Sequence, residues 1–263
     1  MGKVNDLDLS RWREYKDLLV DSLWIIGKRD NSGAHSGWYH GNFIPQVPRQ
    51  LMLRYTRQGE WVLDPFVGSG TTLIECKRLG RNGIGIELNQ KVAEEARKAI
   101  CRELNFYDVV VDVVVGDAKK VNYDELLEKY GINKVQLVIL HPPYWDVIKF
   151  SNDPEDLSAA KSLEEFLKLF KEVVEKVSEV LEEGRYLGLV IGDKYSGGEW
   201  IPLGFYCMEE VMDVGYRLKG IVVKSIGETR LSDGSSRGLW RYRALKFGFF
   251  VFAHEYLMVF QKK

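Results

Sequence analysis

Two short stretches gather the side chains able to do chemistry. The first, Asp64-Pro65-Phe66-Val67-Gly68-Ser69-Gly70-Thr71-Thr72, sets two glycines among hydroxyl groups with an acid at its head. Glycines allow a tight turn and close approach of a ligand to the backbone. If a helix starts there, its unpaired N–H groups and the hydroxyls of Ser69, Thr71 and Thr72 would welcome a carboxylate. A phosphate loop needs Lys and then Ser or Thr after its second glycine, and none follows Gly70; the dinucleotide spacing is absent too. Downstream, Glu87 closes an apolar stretch, and a carboxylate there can accept from both hydroxyls of a ribose. Asp117, in Gly116-Asp117-Ala118, offers an acceptor suited to an aromatic amino group.

The second stretch is His141-Pro142-Pro143-Tyr144-Trp145. Two prolines stiffen the backbone and remove two donors, but keep their carbonyl acceptors. Tyr144 and Trp145 supply flat faces on which a base can stack. Acceptors grouped around an aromatic amine can draw it toward tetrahedral geometry and take up developing positive charge. A neutral His141 accepts one such hydrogen bond. With an ordinary imidazole, activity should fall below a pH of about 6.5.

These residues must be held by a scaffold, and the patterning supplies one. Apolar runs at 61–63, 83–88, 109–115, 136–140, 186–191, 220–224 and 254–261 read as strands, and the valine-rich third suits burial on both faces. Helical periodicity fills 71–79, 92–104, 123–130, 163–183 and 205–214, with Gly184 as the cap of the fourth. A short helix follows Pro48, and Leu9–Ile26 reads as a helix through Trp12, Leu18, Leu19, Leu23 and Trp24. Such alternation predicts a single α/β domain: a doubly wound, mostly parallel seven-stranded sheet, with residues 1–41 as a helical extension. Both motifs then end neighbouring strands and face one cleft.

The chain has 263 residues, 45% hydrophobic, with a formal net charge of -1. A core can be built, and a uniformly basic coat is excluded. Three cysteines without CxxC spacing suggest neither a disulfide framework nor a metal site, and a reducing cytoplasm is the expected location. No signal peptide and no membrane span are expected. Positive charge is instead concentrated at 224–246, in Lys224, Arg230, Arg237, Arg241, Arg243 and Lys246, with Trp240 and Tyr242 interleaved. This makes the insertion at 225–249 the expected surface for a polyanion.

The string Asp-Pro-Phe-Val-Gly-Ser-Gly-Thr-Thr resembles the S-adenosylmethionine motif of the amino-methylating DNA methyltransferases, which act on cytosine N4 or adenine N6. His141-Pro142-Pro143-Tyr144 is similar to that family's catalytic motif, with His where the family has Asp, Asn or Ser. Asn42 to Pro45 is similar to the segment that precedes the first motif. The likeness covers roughly residues 40–263 and implies a Rossmann-like fold. It implies cofactor contacts from Phe43, Pro45, Asp64, Pro65, Phe66, Gly68, Ser69, Gly70, Thr71, Thr72, Glu87, Leu88, Asp117 and Ala118. It implies catalysis by His141, Pro142, Pro143 and Tyr144, and contacts to double-stranded DNA from Trp145, Arg230, Arg237, Arg241 and Arg243. The target base would be flipped out of the stack. Trp145 after the tyrosine tilts the base toward cytosine N4. A paired restriction endonuclease is a partner such enzymes have, and no large separate target-recognition domain is expected. No Pro-Cys dipeptide occurs, so attack through a cysteine at cytosine C5 is not expected. An RNA guanine-N2 methyltransferase is the alternative enzyme. A cofactor-binding, DNA-binding protein without turnover is the alternative of another class.

Overall fold

A computed structural model describes residues 3–151, 153, 155–226 and 234–263, with the backbone alone for 234–240. Ten strands are present among these residues: β1 (Leu23–Trp24), β2 (Trp61–Asp64), β3 (Asn82–Glu87), β4 (Val111–Val115), β5 (Val135–Leu140), β6 (Leu181–Ile191), β7 (Lys194–Ser196), β8 (Glu199–Ile201), β9 (Arg217–Ser225) and β10 (His254–Gln261). The helices are α1 (Gln46–Tyr55), α2 (Thr71–Leu79), α3 (Gln90–Arg102), α4 (Tyr123–Glu128), α5 (Leu163–Val180), α6 (Leu203–Asp213) and α7 (Gly234–Phe247). The main sheet has the order β1-β9-β10-β6-β5-β2-β3-β4, while β7 and β8 form a small antiparallel hairpin.

Adjacent residues on the central strands enter opposite cores, which is why these strands read as unbroken apolar runs. Val62, Leu137 and Ile139 pack with α1, α2 and α3, through Leu51, Leu73 and Ala96 among others. Leu63, Val138 and Leu140 pack on the other face with α4, α5 and α6, around the fully buried Phe166 and Phe170. Each such buried side chain contributes about 1.5–3 kcal/mol relative to exposure.

The chain winds outward from β2 to β4, then returns to lay β5 against the other side of β2. Ligands bind beyond the carboxyl ends of strands at such a reversal. The all-parallel pattern is broken by β10, which is antiparallel to both β6 and β9.

Three sequence expectations are corrected. The helix over Leu9–Ile26 does not form: a short 3-10 turn spans Leu9–Glu14, and β1 adds an eighth strand parallel to β9. Helix α1 takes the backbone groups that a helix there would have used. Gln50 Oε1 accepts from Leu19 N at 2.9 Å, Gln50 Nε2 donates to the Asp17 carbonyl at 2.7 Å, and Arg54 donates to the Leu19 carbonyl. Of the apolar stripe, Trp24 is buried while Trp12 and Leu23 stay exposed. Gly184 does not cap α5, which ends at Val180; it lies inside β6 at φ 77°. The valine-rich third strand is not buried on both faces, because β4 ends the sheet order and leaves only Val113 buried and Val115 exposed. The 225–249 insertion carries α7; residues 227–233, Arg230 included, lie outside the described residues. No helix among the described residues is long and apolar enough to cross a membrane.

Candidate active site

The turns after β2, β3, β4 and β5 surround a cavity of about 430 Å³. Pocket volumes of roughly 300–1,000 Å³ are usual for small-molecule and cofactor sites. The β2 turn enters it through Pro65, Phe66, Gly68, Ser69 and Thr71. Gly68 has φ 49°, and a Cβ built there would come within 2.9 Å of the Tyr39 ring. Gly70 has φ 84° and caps the start of α2, where a Cβ would meet Ile100 at 2.9 Å. Side chains at either position would prise the turn from its neighbours.

Four residues assigned to the cofactor by sequence do not line the cavity: Pro45, Asp64, Gly70 and Thr72. Asp64 is buried, accepting from Phe66 N at 3.0 Å and from the Thr72 hydroxyl at 2.5 Å. Burial lifts its pKa to about 7 against those two hydrogen bonds. It braces the turn from behind. Pro45 is buried at the start of α1.

The other assigned residues do meet. Phe43, Leu88, Ala118, Pro142 and Pro143 line the wall. Glu87 accepts from Gly68 N at 3.1 Å and from Asn89 N at 2.9 Å, and so ties the ends of β2 and β3 together. Burial raises its pKa, with those backbone donors opposing. Asp117 Oδ1 accepts from Lys119 N at 3.0 Å; Oδ2 lies 3.2 Å from Lys119 Nζ but makes no hydrogen bond.

At the far wall, His141 Nε2 lies 3.2 Å from the Tyr144 hydroxyl, which donates to Glu255 Oε2 at 3.0 Å. Glu255 Oε1 sits 2.8 Å from Lys224 Nζ, and the two residues face each other across β9 and β10. Burial pushes the His141 pKa down to about 4; the Lys224 charge adds to the fall and Glu255 opposes it. The imidazole is therefore neutral at ordinary pH, and the acid limb expected near pH 6.5 moves down. Burial works to raise the Glu255 pKa, but Lys224, His141 and Tyr144 outweigh it and hold the carboxylate below its usual range.

Sequence reasoning missed Arg29, Tyr39, Phe150, Lys224 and Glu255, all of which line the cavity. Arg29 donates to the Phe43 and Ser36 carbonyls at 2.9 and 3.2 Å and to Asn42 Oδ1 at 2.9 Å, bracing the segment that bears Phe43. Tyr39 stacks on Phe150 with ring centroids 5.7 Å apart, joining that segment to the loop after β5. Lys224 was counted with the basic insertion, yet it is buried in β9 and paired. The available signal was a charge at the end of an apolar run in each of two strands, Lys224 after Ile221-Val222-Val223 and Glu255 before Tyr256 to Phe260.

Trp145 does not line the cavity. Its indole donates to the Ala160 carbonyl at 2.9 Å, and Lys194 Nζ covers its ring at 3.8 Å. Arg241 and Arg243 are exposed on α7, beside the exposed Tyr242, Leu245 and Phe247. Arg237 falls where only the backbone is described.

Residues 4–98 match the family model described as DNA methylase. The Type II methyltransferase M.MjaII of Methanocaldococcus jannaschii is 32% identical over 171 residues, which are 64% of this chain and 26% of that protein. The tRNA (guanine(10)-N2)-dimethyltransferase of the same organism is 30% identical over 151 residues, 57% of this chain and 38% of that protein. The matched part thus spans between a quarter and two fifths of these relatives. Among solved structures, TrmN from Thermus thermophilus superposes with a TM-score of 0.53 at 17% identity, over 84% of this chain and 49% of that one. That likeness concerns the fold.

Proposed function

We propose that this chain, which belongs to the family of amino-methylating (N4-cytosine/N6-adenine) DNA methyltransferases, methylates the exocyclic amino group of a base in DNA, using S-adenosylmethionine. The observation that carries the reading is the meeting of the Gly68 turn and the His141–Tyr144 turn on one cavity. The residues present fit the cofactor. Glu87 keeps acceptor capacity for ribose hydroxyls, and Asp117, which lines the same cavity, has a second lone pair on Oδ1 that suits an amino group, its Oδ2 being buried against Lys119. Ser69 and Thr71, at the start of α2, suit a carboxylate. S-adenosylmethionine supplies an electrophilic methyl group on a sulfonium centre.

The chain's own part is to make a poor nucleophile competent. The lone pair of an aromatic amine is delocalised into its ring, and acceptors on its N–H bonds favour the geometry that releases it. The Pro142 carbonyl and the neutral His141 ring are those acceptors. With a pKa near 4, His141 accepts a hydrogen bond rather than acting as a strong base. Tyr144 offers its face to the base, and the base reaches it by leaving the duplex stack. The exposed Arg241 and Arg243 on α7 suit phosphate contacts.

Cytosine N4 is favoured over adenine N6 by the aromatic residue after Tyr144, although Trp145 acts there by packing beneath the loop. A second reading, methylation of guanine N2 in tRNA, is favoured by the tRNA-modifying relative. Transfer of a labelled methyl group to duplex DNA and to tRNA, followed by nucleoside analysis, separates the two. Label in N4-methylcytosine supports the proposal; label in tRNA alone overturns it.

A further inference from the structure

We propose that Glu255 is a positioning residue for the reaction, acting through Tyr144 to fix the proton of His141 on Nε2 and leave Nδ1 as the ring's lone-pair acceptor. The inference rests on the methyl-transfer reading for its purpose, but its geometry stands without it.

The argument follows hydrogen-bond direction along a chain of four side chains. Lys224 Nζ, buried in β9, can only donate, and it lies 2.8 Å from Glu255 Oε1. The pairing keeps Glu255 ionised, so its other oxygen can only accept. Tyr144 has one hydroxyl proton, and it goes to that oxygen at 3.0 Å. The phenol oxygen therefore meets His141 Nε2, 3.2 Å away, as an acceptor. A neutral imidazole facing an acceptor must carry its proton on that nitrogen. Nδ1 is then the bare nitrogen. It makes no hydrogen bond among the described residues, and it is not sealed in protein as His35 Nδ1 is. His141 lines the cavity, so the lone pair is available to a ligand there.

The surroundings hold the relay in register. The Phe43 ring lies 4.7 Å from the His141 ring, limiting its rotation. Gly192 passes so close to the Tyr144 ring that a Cβ would sit 3.0 Å from it. Glu255 and Lys224 are register partners in β10 and β9, so backbone pairing presets their contact. With the other tautomer, Nδ1–H would point a donor at an amine that is itself a donor, and the acceptor would be lost.

Nitrogen NMR on histidine-labelled protein reads the tautomer directly at neutral pH. The chain has four histidines, and His141→Asn identifies the signal. The expected result is a protonated Nε2 and a bare Nδ1 in the wild type. Tyr144→Phe, which keeps the Glu255–Lys224 pair intact, should give a mixture of tautomers. Glu255→Gln should do the same and lower turnover about 10- to 100-fold, by analogy with the range seen when the hydrogen-bond partners that orient metal-ligating histidines are removed. Cofactor affinity should hold. If Glu255→Gln leaves Lys224 unpaired and the protein fails to fold, Glu255→Gln with Lys224→Met removes both charges together. A wild-type ring protonated on Nδ1, or an Nε2–H signal unchanged in both Tyr144→Phe and Glu255→Gln, overturns the proposal. Because the spectrum needs no substrate, a correct tautomer without methyl transfer to nucleic acid would overturn the functional reading and leave this one standing.

Discussion

Two histidines in this molecule are each associated with a glutamate, one fully buried and one partly buried, and they are used differently. His35 Nε2 lies 2.7 Å from Glu75 Oε1, with both side chains buried on the α1–α2 side of the fold. Arg78 and Arg49 flank the same glutamate at 3.4 and 3.8 Å. Among the described residues both side chains are closed off from solvent, and the pair pins the N-terminal segment to α2. At His141 the carboxylate stands one residue further away, with the Tyr144 hydroxyl between. The intervening phenol conveys direction without bringing a full charge to the ring. Direct contact suits an anchor, whereas a neutral acceptor is better served by a carboxylate at one remove.

The largest expected contrast is in turnover. His141→Ala should lower methyl transfer by about 10²-fold or more, the lower end of what a positioned catalytic side chain contributes. Its unfolding midpoint in urea should move little. Full activity in that variant would reduce His141 to a wall residue and leave Pro142 as the acceptor. On the ligand side of the same cavity, Glu87→Ala should weaken S-adenosylmethionine binding by about 1.5–3 kcal/mol, the scale of a charged acceptor. Calorimetry showing unchanged affinity would remove Glu87 from the site.

His35→Ala should reverse the pattern, costing about 1–3 kcal/mol of stability by leaving Glu75 short of a partner. Turnover per folded molecule should be retained. A catalytic loss without a stability loss would break the distinction drawn between the two histidines.

The pH profile gives a finer test. Protonated His141 cannot accept, and its pKa is lowered to about 4. On the His141 contribution alone, the rate should stay level as pH falls through 6.5 and decline only as it approaches 4. A limb near 6.5 would mean an imidazole open to water. The smallest effect expected is on the exposed helix. Arg241→Ala with Arg243→Ala should reduce the salt slope of DNA binding by about one per lost phosphate contact, with cofactor affinity unchanged. An unchanged slope would move the nucleic-acid surface elsewhere.

Much of this was legible in the sequence, for physical reasons. Strands β2, β3, β5 and the apolar part of β6 are buried on both faces, so apolar runs announce them, whereas the valine run of β4 marks an edge strand in which only Val113 is buried. Helix α2 is bracketed by Gly70 and Gly80, and its predicted ends match those observed. What failed depended on tertiary partners. The stretch from Leu9 to Ile26 has helical spacing, but Gln50 and Arg54 capture its backbone. Asp64 and Glu87 both end strands, and no local pattern tells which one turns inward to Thr72 and which lines the cavity. Lys224 and Glu255 are distant in sequence, and only strand register makes them neighbours.

That register has a consequence for how the protein is made. β10 lies between β6 and β9, so the β9–β1 edge has no strand connecting it to the rest of the sheet until His254–Gln261 is in position. Glu255 arrives with this strand, which is synthesised after every other strand described. During translation the glycine turn and the proline turn can form on the ribosome from residues already emerged. The tautomer of His141 cannot be set until β10 has emerged and zipped between its two neighbours. Competence thus comes in one late step, and a nascent chain halted before β10 would carry the motifs without the arrangement that gives the imidazole its direction.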